Sequence, residues 1–384
     1  MRVTNSMLAG TLMRNLNVNL NRLDKLQNQI STGRKFANIS DDPVALVYSQ
    51  AARNKIARLS HYQRSVGTAQ DWLNQAELGV MELQKTITNA LEDAVNAATD
   101  VKTNDDRKNI AAAMAQFRNH YIDTLNTTFG DKYVFGGYNT PGEPEGSRLT
   151  DGMKAFTFDI DPLTGEGALF YNGFNLTTFD GMLAEDYDSI VLADTYADVP
   201  AALRARLEAD FGWATTGETF DMFKTLHSNV LTFDVGPGVS MPVTMNGIEV
   251  VLIRTTDVDA DGNMINVIRS SANILHDLFV LAENENDDIE NVVLKISDMI
   301  KPIQDAQNHL LTKTAEIGGR VRRLELLEAR YEQDMINYER MKSNAEDVDM
   351  AEVIILQKMA EAVYQAALSS GARIIQPTLM DFLR

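Results

Sequence analysis

Three acidic side chains at alternate positions, Asp257, Asp259 and Asp261, followed by Gly262 and Asn263, hold the clearest chemical spacing in this 384-residue chain. Hard oxygen ligands around a glycine turn are how a calcium loop begins, and its twelfth position must then bring a bidentate glutamate. Position twelve is Ile268, and the flanks Val250–Arg254 and Ile265–Ile268 look like strands in place of two helices. An acidic hairpin loop accounts for the stretch more simply, with a weak calcium site from Asp257, Asp259 and Asp261 as the alternative. The five histidines, His61, His120, His227, His276 and His309, are scattered and none opens an H-E-x-x-H. No G-x-S-x-G, P-loop or dinucleotide fingerprint is present. Without cysteine there is no disulfide, zinc-thiolate site or thiol nucleophile. The expectation is a protein with no reaction and no cofactor.

Charge narrows the classes further. The net charge is −19, and residues 140–283 carry 23 acidic against 7 basic side chains. Such a segment repels a phosphate backbone, so nucleic-acid binding is not expected, and a strongly solvated, outward-facing domain is. Apolar runs such as Val250–Ile253 are far below the roughly 20 residues that span a bilayer. The opening Met-Arg-Val-Thr-Asn-Ser lacks the apolar centre of a secretory signal peptide.

The elements that must position any site are helical at both ends. From Tyr62, the residues Val66, Ala69, Leu73, Ala76, Val80, Leu83, Ile87, Ala90, Ala94, Ala97 and Val101 follow in alternating steps of four and three. That is a 3.5-residue period, one seam on one helix. The seam extends back through Leu59, Ala52, Tyr48 and Ala45, and a helix over 45–101 would be roughly 85 Å long. A rod of that length needs a partner. The return segment provides it with Ile289, Val293, Ile296, Ile300, Ile303, Leu310, Ile317, Val321 and Leu324, then, after a phase slip, Leu327, Tyr331, Tyr338, Met341, Ala345 and Val348. Pro302 should kink it.

The first thirty residues carry a thinner stripe, Leu12, Leu16, Leu23, Leu26 and Ile30, with Asn19 at one seam position. A helix with so little to bury is marginal alone, so this stretch is expected to order only against partners. Gly33 suits a helix end, Asp41 or Asp42 the next cap, Pro43 its first turn, and Asn104-Asp105-Asp106 the cap of a third helix. Residues 126–138 read as a β-ribbon; Asn172-Gly173 and Asn246-Gly247 read as hairpin turns, with short helices at 200–210 and 218–228 and a helical pattern over 266–282. A last helix runs from Ala351 to about Ser370, where Gly371 ends or loosens it. Its apolar residues occupy several faces, more than one-sided packing uses. Exposed stripes at both termini, with no sufficient internal partner, argue for assembly into a polymer or ring.

Ser31-Thr-Gly-Arg-Lys35 with Ser40-Asp-Asp-Pro43, and Gln365-Ala-Ala-Leu-Ser-Ser-Gly371 through Gln376-Pro377 to Phe382-Leu-Arg384, resemble the terminal segments of the bacterial flagellin family. The opening Met-Arg-Val-Thr, Asn126-Thr-Thr128 and Tyr133-Val-Phe-Gly-Gly-Tyr138 resemble its hook-associated protein 3 branch, which forms the hook–filament junction. The resemblance covers about 1–139 and 284–384 and leaves the insert uncovered. It implies an extracellular structural subunit of the flagellum, exported unfolded through the flagellar type III channel without a cleavable signal, with a chaperone on the C-terminal region. Neighbouring copies, hook-associated protein 1 and flagellin are the implied partners.

The expected fold is α+β: coiled-coil-like rods from both ends with an inserted β-rich domain. Its expected divisions are a terminal axial segment over 1–43, disordered in the monomer, a rod of 44–139 with 284–345, an acidic insert over 140–283, and a second axial segment over 346–384. The expected assembly interface is Leu12, Leu16, Leu23, Ile30, Ile355, Met359, Val363, Leu379, Phe382 and Leu383. Filament flagellin, and a calcium-dependent surface-binding module on a coiled-coil stalk, are the alternatives.

Overall fold

The structure is a computed structural model, which describes residues 5–36, 41–99, 103–137, 154–162, 165–213, 216–258, 263–283 and 289–380. They form two compact units, residues 1–61 with 329–384 and residues 62–328. The helices α1 (Asn5–Thr32), α2 (Pro43–Ala97) and α3 (Asn104–Leu125) come first. Gly33 ends α1 in the left-handed conformation at φ +66°, as a residue after a helix end should. Asp42 caps α2 by accepting from the amides of Val44 at 3.1 Å and Ala45 at 2.9 Å. The cap of α3 is Thr103, one residue before the expected Asn104, and it forms a reciprocal box with Asp106.

In α2 the predicted seam from Val66 to Ala97 is buried throughout, as are Ala52 and Leu59. Tyr48 is not part of it: its side chain is 60% exposed. The return helix α9, numbered in chain order after the insert's elements, spans Ile289–Glu346 and continues through Pro302. Its buried seam residues include Val292, Ile296, Met299, Ile303, Ala306 and Leu310, followed every seven residues by Ile317, Leu324 and Tyr331. The expected phase slip is absent, because the spacing of seven runs on through half-buried Tyr338 and Ala345. Leu327 and Met341 lay on an adjacent face and suggested a second stripe.

The unit of residues 62–328 carries the insert. A two-residue ribbon, β1 (Thr128–Phe129) with β2 (Lys132–Tyr133), leaves α3. The strands β3 (Phe156–Ile160), β4 (Gly167–Tyr171) and β5 (Phe174–Asn175) form one antiparallel sheet. Its tight turn is Asn172-Gly173, both at positive φ (48° and 80°), as the predicted hairpin requires. The next elements are β6 (Met182–Leu183), α4 (Ala184–Leu192), α5 (Ala201–Phe211) and α6 (Glu218–His227), the last two where short helices were expected. β7 (Thr232–Gly236) pairs with β8 (Val239–Pro242). Then follow α7 (Gly247–Val251), β9 (Leu252–Val258), β10 (Met264–Ser270) and α8 (Ser271–Glu283), with the sheet order β6-β10-β9. The α+β class holds, and the insert contains more helix than a β-rich domain was expected to have.

Asn246-Gly247 is not a hairpin turn. Asn246 caps α7, its side-chain oxygen accepting from the Ile248 amide at 2.9 Å. Gly247 is required for space: a methyl group there would lie 2.5 Å from the Phe135 carbonyl oxygen and 2.5 Å from the Phe156 ring. Phe135, fully buried, also crosses Gly79 of α2, where a methyl group would lie 2.9 Å from its ring. The Tyr133-Val-Phe-Gly-Gly stretch is therefore seated against two glycines, its Phe135 ring on Gly79 and its Phe135 carbonyl on Gly247. Asn126 ties the end of α3 to β3, donating to the Phe156 carbonyl at 2.9 Å and accepting from the Phe156 amide at 2.8 Å.

Candidate assembly interface

In the unit of residues 1–61 and 329–384, the last helix is α10 (Met350–Met380). It packs antiparallel on α1, since Gly33 is bonded to Val348 while Leu12 lies against Gly371. The contact uses the predicted α1 stripe: buried Leu26 with Leu23 and Ile30 meets Val353, Leu356 and Ala360. Leu12 and Leu16 are half-buried. Two expectations change. The terminal stripes do have an internal partner, each other, and Gly371 does not end the helix. A methyl group at Gly371 would lie 2.5 Å from Leu12 Cδ2, so the glycine lets the two helices approach.

The corner joining these helices is held by one buried carboxylate. Glu346, 2% exposed, accepts from Arg53 Nε at 2.5 Å and Nη2 at 2.7 Å and from the Ser49 hydroxyl, with Arg34 Nε at 3.9 Å. The Arg53 hydrogen bonds are the largest cause holding its carboxyl near 2, far below the ordinary 4.5. Around it the Ser31–Lys35 segment is stitched down by backbone bonds, Lys35 N to Glu346 O at 2.7 Å and Val348 N to Gly33 O at 3.0 Å. The sequence reading took this segment as a helix break and missed its partner. The available signal was Ser49 and Arg53, four residues apart and flanking the apolar seam position Ala52.

The far side of α10 remains open to other molecules, as do Met13 and Val18 on α1 and Val44 and Val47 on α2. Ile355, Met359, Ala362, Ala366 and Ser369 follow in steps of four, three, four and three, and all are exposed. They form a second heptad seam, two residues on from the one α1 covers and so about 200° around the helix. Ile355 is 61% exposed and Met359 60%, proportions that no isolated soluble helix needs. Val363, 52% exposed, and Ile354, 44%, border the seam. Of the predicted interface residues, Leu12, Leu16, Leu23 and Ile30 thus lie on the α1 stripe that faces α10, while Ile355, Met359 and Val363 face outward. Leu379 lies in the last turn of α10 without a described side chain, and Phe382 and Leu383 lie outside the described residues.

The calcium alternative falls on residues 259–262, outside the described residues. Asp257 is the last residue but one of β9, which pairs antiparallel with β10 from Val258 opposite Met264. Among the described residues, no three His, Asp or Glu side chains converge as a metal site requires. No described helix is long and apolar enough to cross a membrane.

Helical termini paired antiparallel, with a folded insert between two long rods, define a class. Residues 3–140 match the bacterial flagellin N-terminal helical region, which bears out the family resemblance read from Ser31–Lys35 and Ser40–Pro43. Within that class the relatives are specific. Flagellar hook-associated protein 3 of Escherichia coli (strain K12) is 27% identical over 165 residues, 42% of this chain and 52% of that protein. The protein of the same name from Salmonella typhimurium is 28% identical over 145 residues, 38% of this chain and 46% of that one. The chain thus spans about half the length of the curated relatives it matches. The fold is similar to that of the flagellar junction protein FlgL from Legionella pneumophila, with a TM-score of 0.50 and 12% identity over 78% of this chain and 100% of that one.

Proposed function

We propose that this chain is a structural subunit of the bacterial flagellum, an adaptor between hook and filament, and that the outer seam of α10 is where it joins its neighbours. The observation that carries the reading is that seam: Ile355, Met359, Ala362, Ala366 and Ser369 continue the heptad logic of the termini and are exposed among the described residues. Neighbouring copies, hook-associated protein 1 and flagellin are the partners that the family resemblance implies. An export chaperone that covers α10 before assembly fits the same surface, and export without a cleavable signal goes with this reading.

The test is replacement of the gene in a motile source strain. An adaptor is needed before the upper polymer can nucleate, so its loss should leave hooks without filaments and flagellin in the medium. The wild-type gene should restore filaments. Ile355→Asp with Met359→Asp should not, although the exported chain keeps its circular-dichroism spectrum, because those side chains are mostly exposed. Leu16→Asp and Leu379→Asp should also fail. Normal filaments on the deletion strain would remove the junction reading, and long filaments grown from the purified chain alone would favour flagellin.

A further inference from the structure

His276, only 2% exposed, stands where α3, α8 and the β3–β4 hairpin meet. Its Nδ1 lies 2.8 Å from Arg118 Nη1 on α3, and its Nε2 lies 2.9 Å from the carbonyl oxygen of Gly165, between β3 and β4. A guanidinium only donates and a carbonyl only accepts, so the ring is neutral, with its one lone pair and its one proton both in use. Phe158 of β3 stands edge-on to the ring, 5.4 Å between centroids. Gly167 opens β4 directly against it, since a methyl group there would lie 2.6 Å from His276 Cδ2. One imidazole thus joins three elements.

Arg118 makes that join sensitive to charge. Its side chain is buried, and among the described residues no carboxylate pairs with it. Its partners are the Asn119 side-chain oxygen, 3.1 Å from Nη2, the His276 lone pair, and the rings of Phe158 and Phe279, whose centroids lie 5.1 and 5.8 Å from its Cζ. A proton on His276 would take away the lone pair that Arg118 donates to. It would also set two buried cations in contact with no anion to offset them.

We propose that His276 is an acid-sensitive latch, which on protonation lets the β3–β4 hairpin part from α3 and α8 while the seam of α2 stays packed. In the opened form the imidazole meets water and takes up its proton at the ordinary histidine value of 6.5. In the closed form burial first, and Arg118 with it, hold the ring below that value against the pull of the Gly165 bond. The latch is therefore intact above 6.5 and weakens as pH falls. Each pH unit below 6.5 favours opening by up to about tenfold, which makes about 30-fold at pH 5. The charged or titratable groups around His276 are Arg118 on α3, Glu166 between β3 and β4, Asp180 ahead of β6 and Asp277 on α8. Asp277 titrates in the same range, its carboxyl pushed up to about 6 chiefly by burial. Its effect has the opposite sign, because a raised carboxyl adds stability as pH falls, so it does not imitate the latch.

Hydrogen exchange of the full-length chain, followed by mass spectrometry at pH 7 and pH 5 and corrected for intrinsic rates, reads such local opening. Protection in β3, β4 and α8 should fall at least about fivefold at pH 5, within the range the linkage allows, while Val66–Ala97 of α2 keeps its protection. His276→Gln, whose side chain takes up no proton, should remove the difference between the two pH values in those elements. His227 and His309 are also held low by burial and remain in that variant, so they serve as the internal comparison. Unchanged protection at pH 5, the same loss in His276→Gln, or an equal loss along α2 would overturn the proposal. If the variant does not fold, the wild-type pattern decides: a loss in β3, β4 and α8 that spares α2 upholds the latch, and any other pattern removes it.

Discussion

At the scale of single residues, two buried polar clusters carry the electrostatics. Glu346 sits among Arg53, Arg34 and Ser49, and its folded carboxyl titrates near 2 where an ordinary glutamate titrates at 4.5. Because the folded value is the lower one, its stabilisation is fully present above pH 4.5 and is lost as pH falls toward 2. Glu346→Gln should cost about 2 kcal/mol at pH 7, the scale of hydrogen bonds to a charged group, discounted because Arg53 is half in water. Denaturant unfolding followed by circular dichroism should show the gap between variant and wild type at pH 7 and its closing toward pH 2. A gap independent of pH would mean that shape, and not charge, is what Glu346 contributes. The second cluster joins α3 to α8. Arg118 Nη1 lies 2.8 Å from His276 Nδ1, and His276 Nε2 lies 2.9 Å from the Gly165 carbonyl. Arginine cannot accept a hydrogen bond, so His276 is the neutral tautomer with its proton on Nε2. Burial, with Arg118 acting in the same direction, lowers its pKa, consistent with that assignment.

At the scale of elements, heptad spacing was the most legible property of the sequence. It located α2, α3 and α9 because a long helix with one buried face repeats its signal many times, so one wrong position such as Tyr48 does not obscure it. Short signals were read less well. Asn246-Gly247 has the same two residues as the true turn at Asn172-Gly173, and the difference lies in what surrounds it, since the Phe135 carbonyl and the Phe156 ring close on Gly247. Such an approach is a tertiary fact that no local pattern contains. Gly247→Ala should therefore cost about 3 kcal/mol, at the upper end for overpacking, because the nearest atom is backbone and cannot swing away. Gly371 differs. Its neighbour is the tip of Leu12, which can move, and alanine gains about 1 kcal/mol of helix propensity there, so Gly371→Ala should be close to neutral. Equilibrium unfolding of both variants checks the contrast, and equal losses would contradict it.

At the scale of the molecule, the sequence pointed to assembly through the two ends of the chain. It misjudged how that is arranged. The stripes of α1 and α10 were read as two exposed surfaces, whereas the α1 stripe and one face of α10 cover each other. The surplus is the second seam on α10, visible beforehand only as a helix apolar on too many faces. The Glu346 corner was hidden for another reason: its parts lie about 300 positions apart along the chain, and no periodicity links them.

The central claim is that this chain stands between hook and filament, and its location on the flagellum tests that most directly. Antibodies raised against the insert, residues 140–283, can be coupled to gold and imaged on intact flagella by electron microscopy. The account predicts one narrow band of label where hook meets filament. Label spread along the filament would make the chain a flagellin, and a flagellum without label would contradict the account altogether.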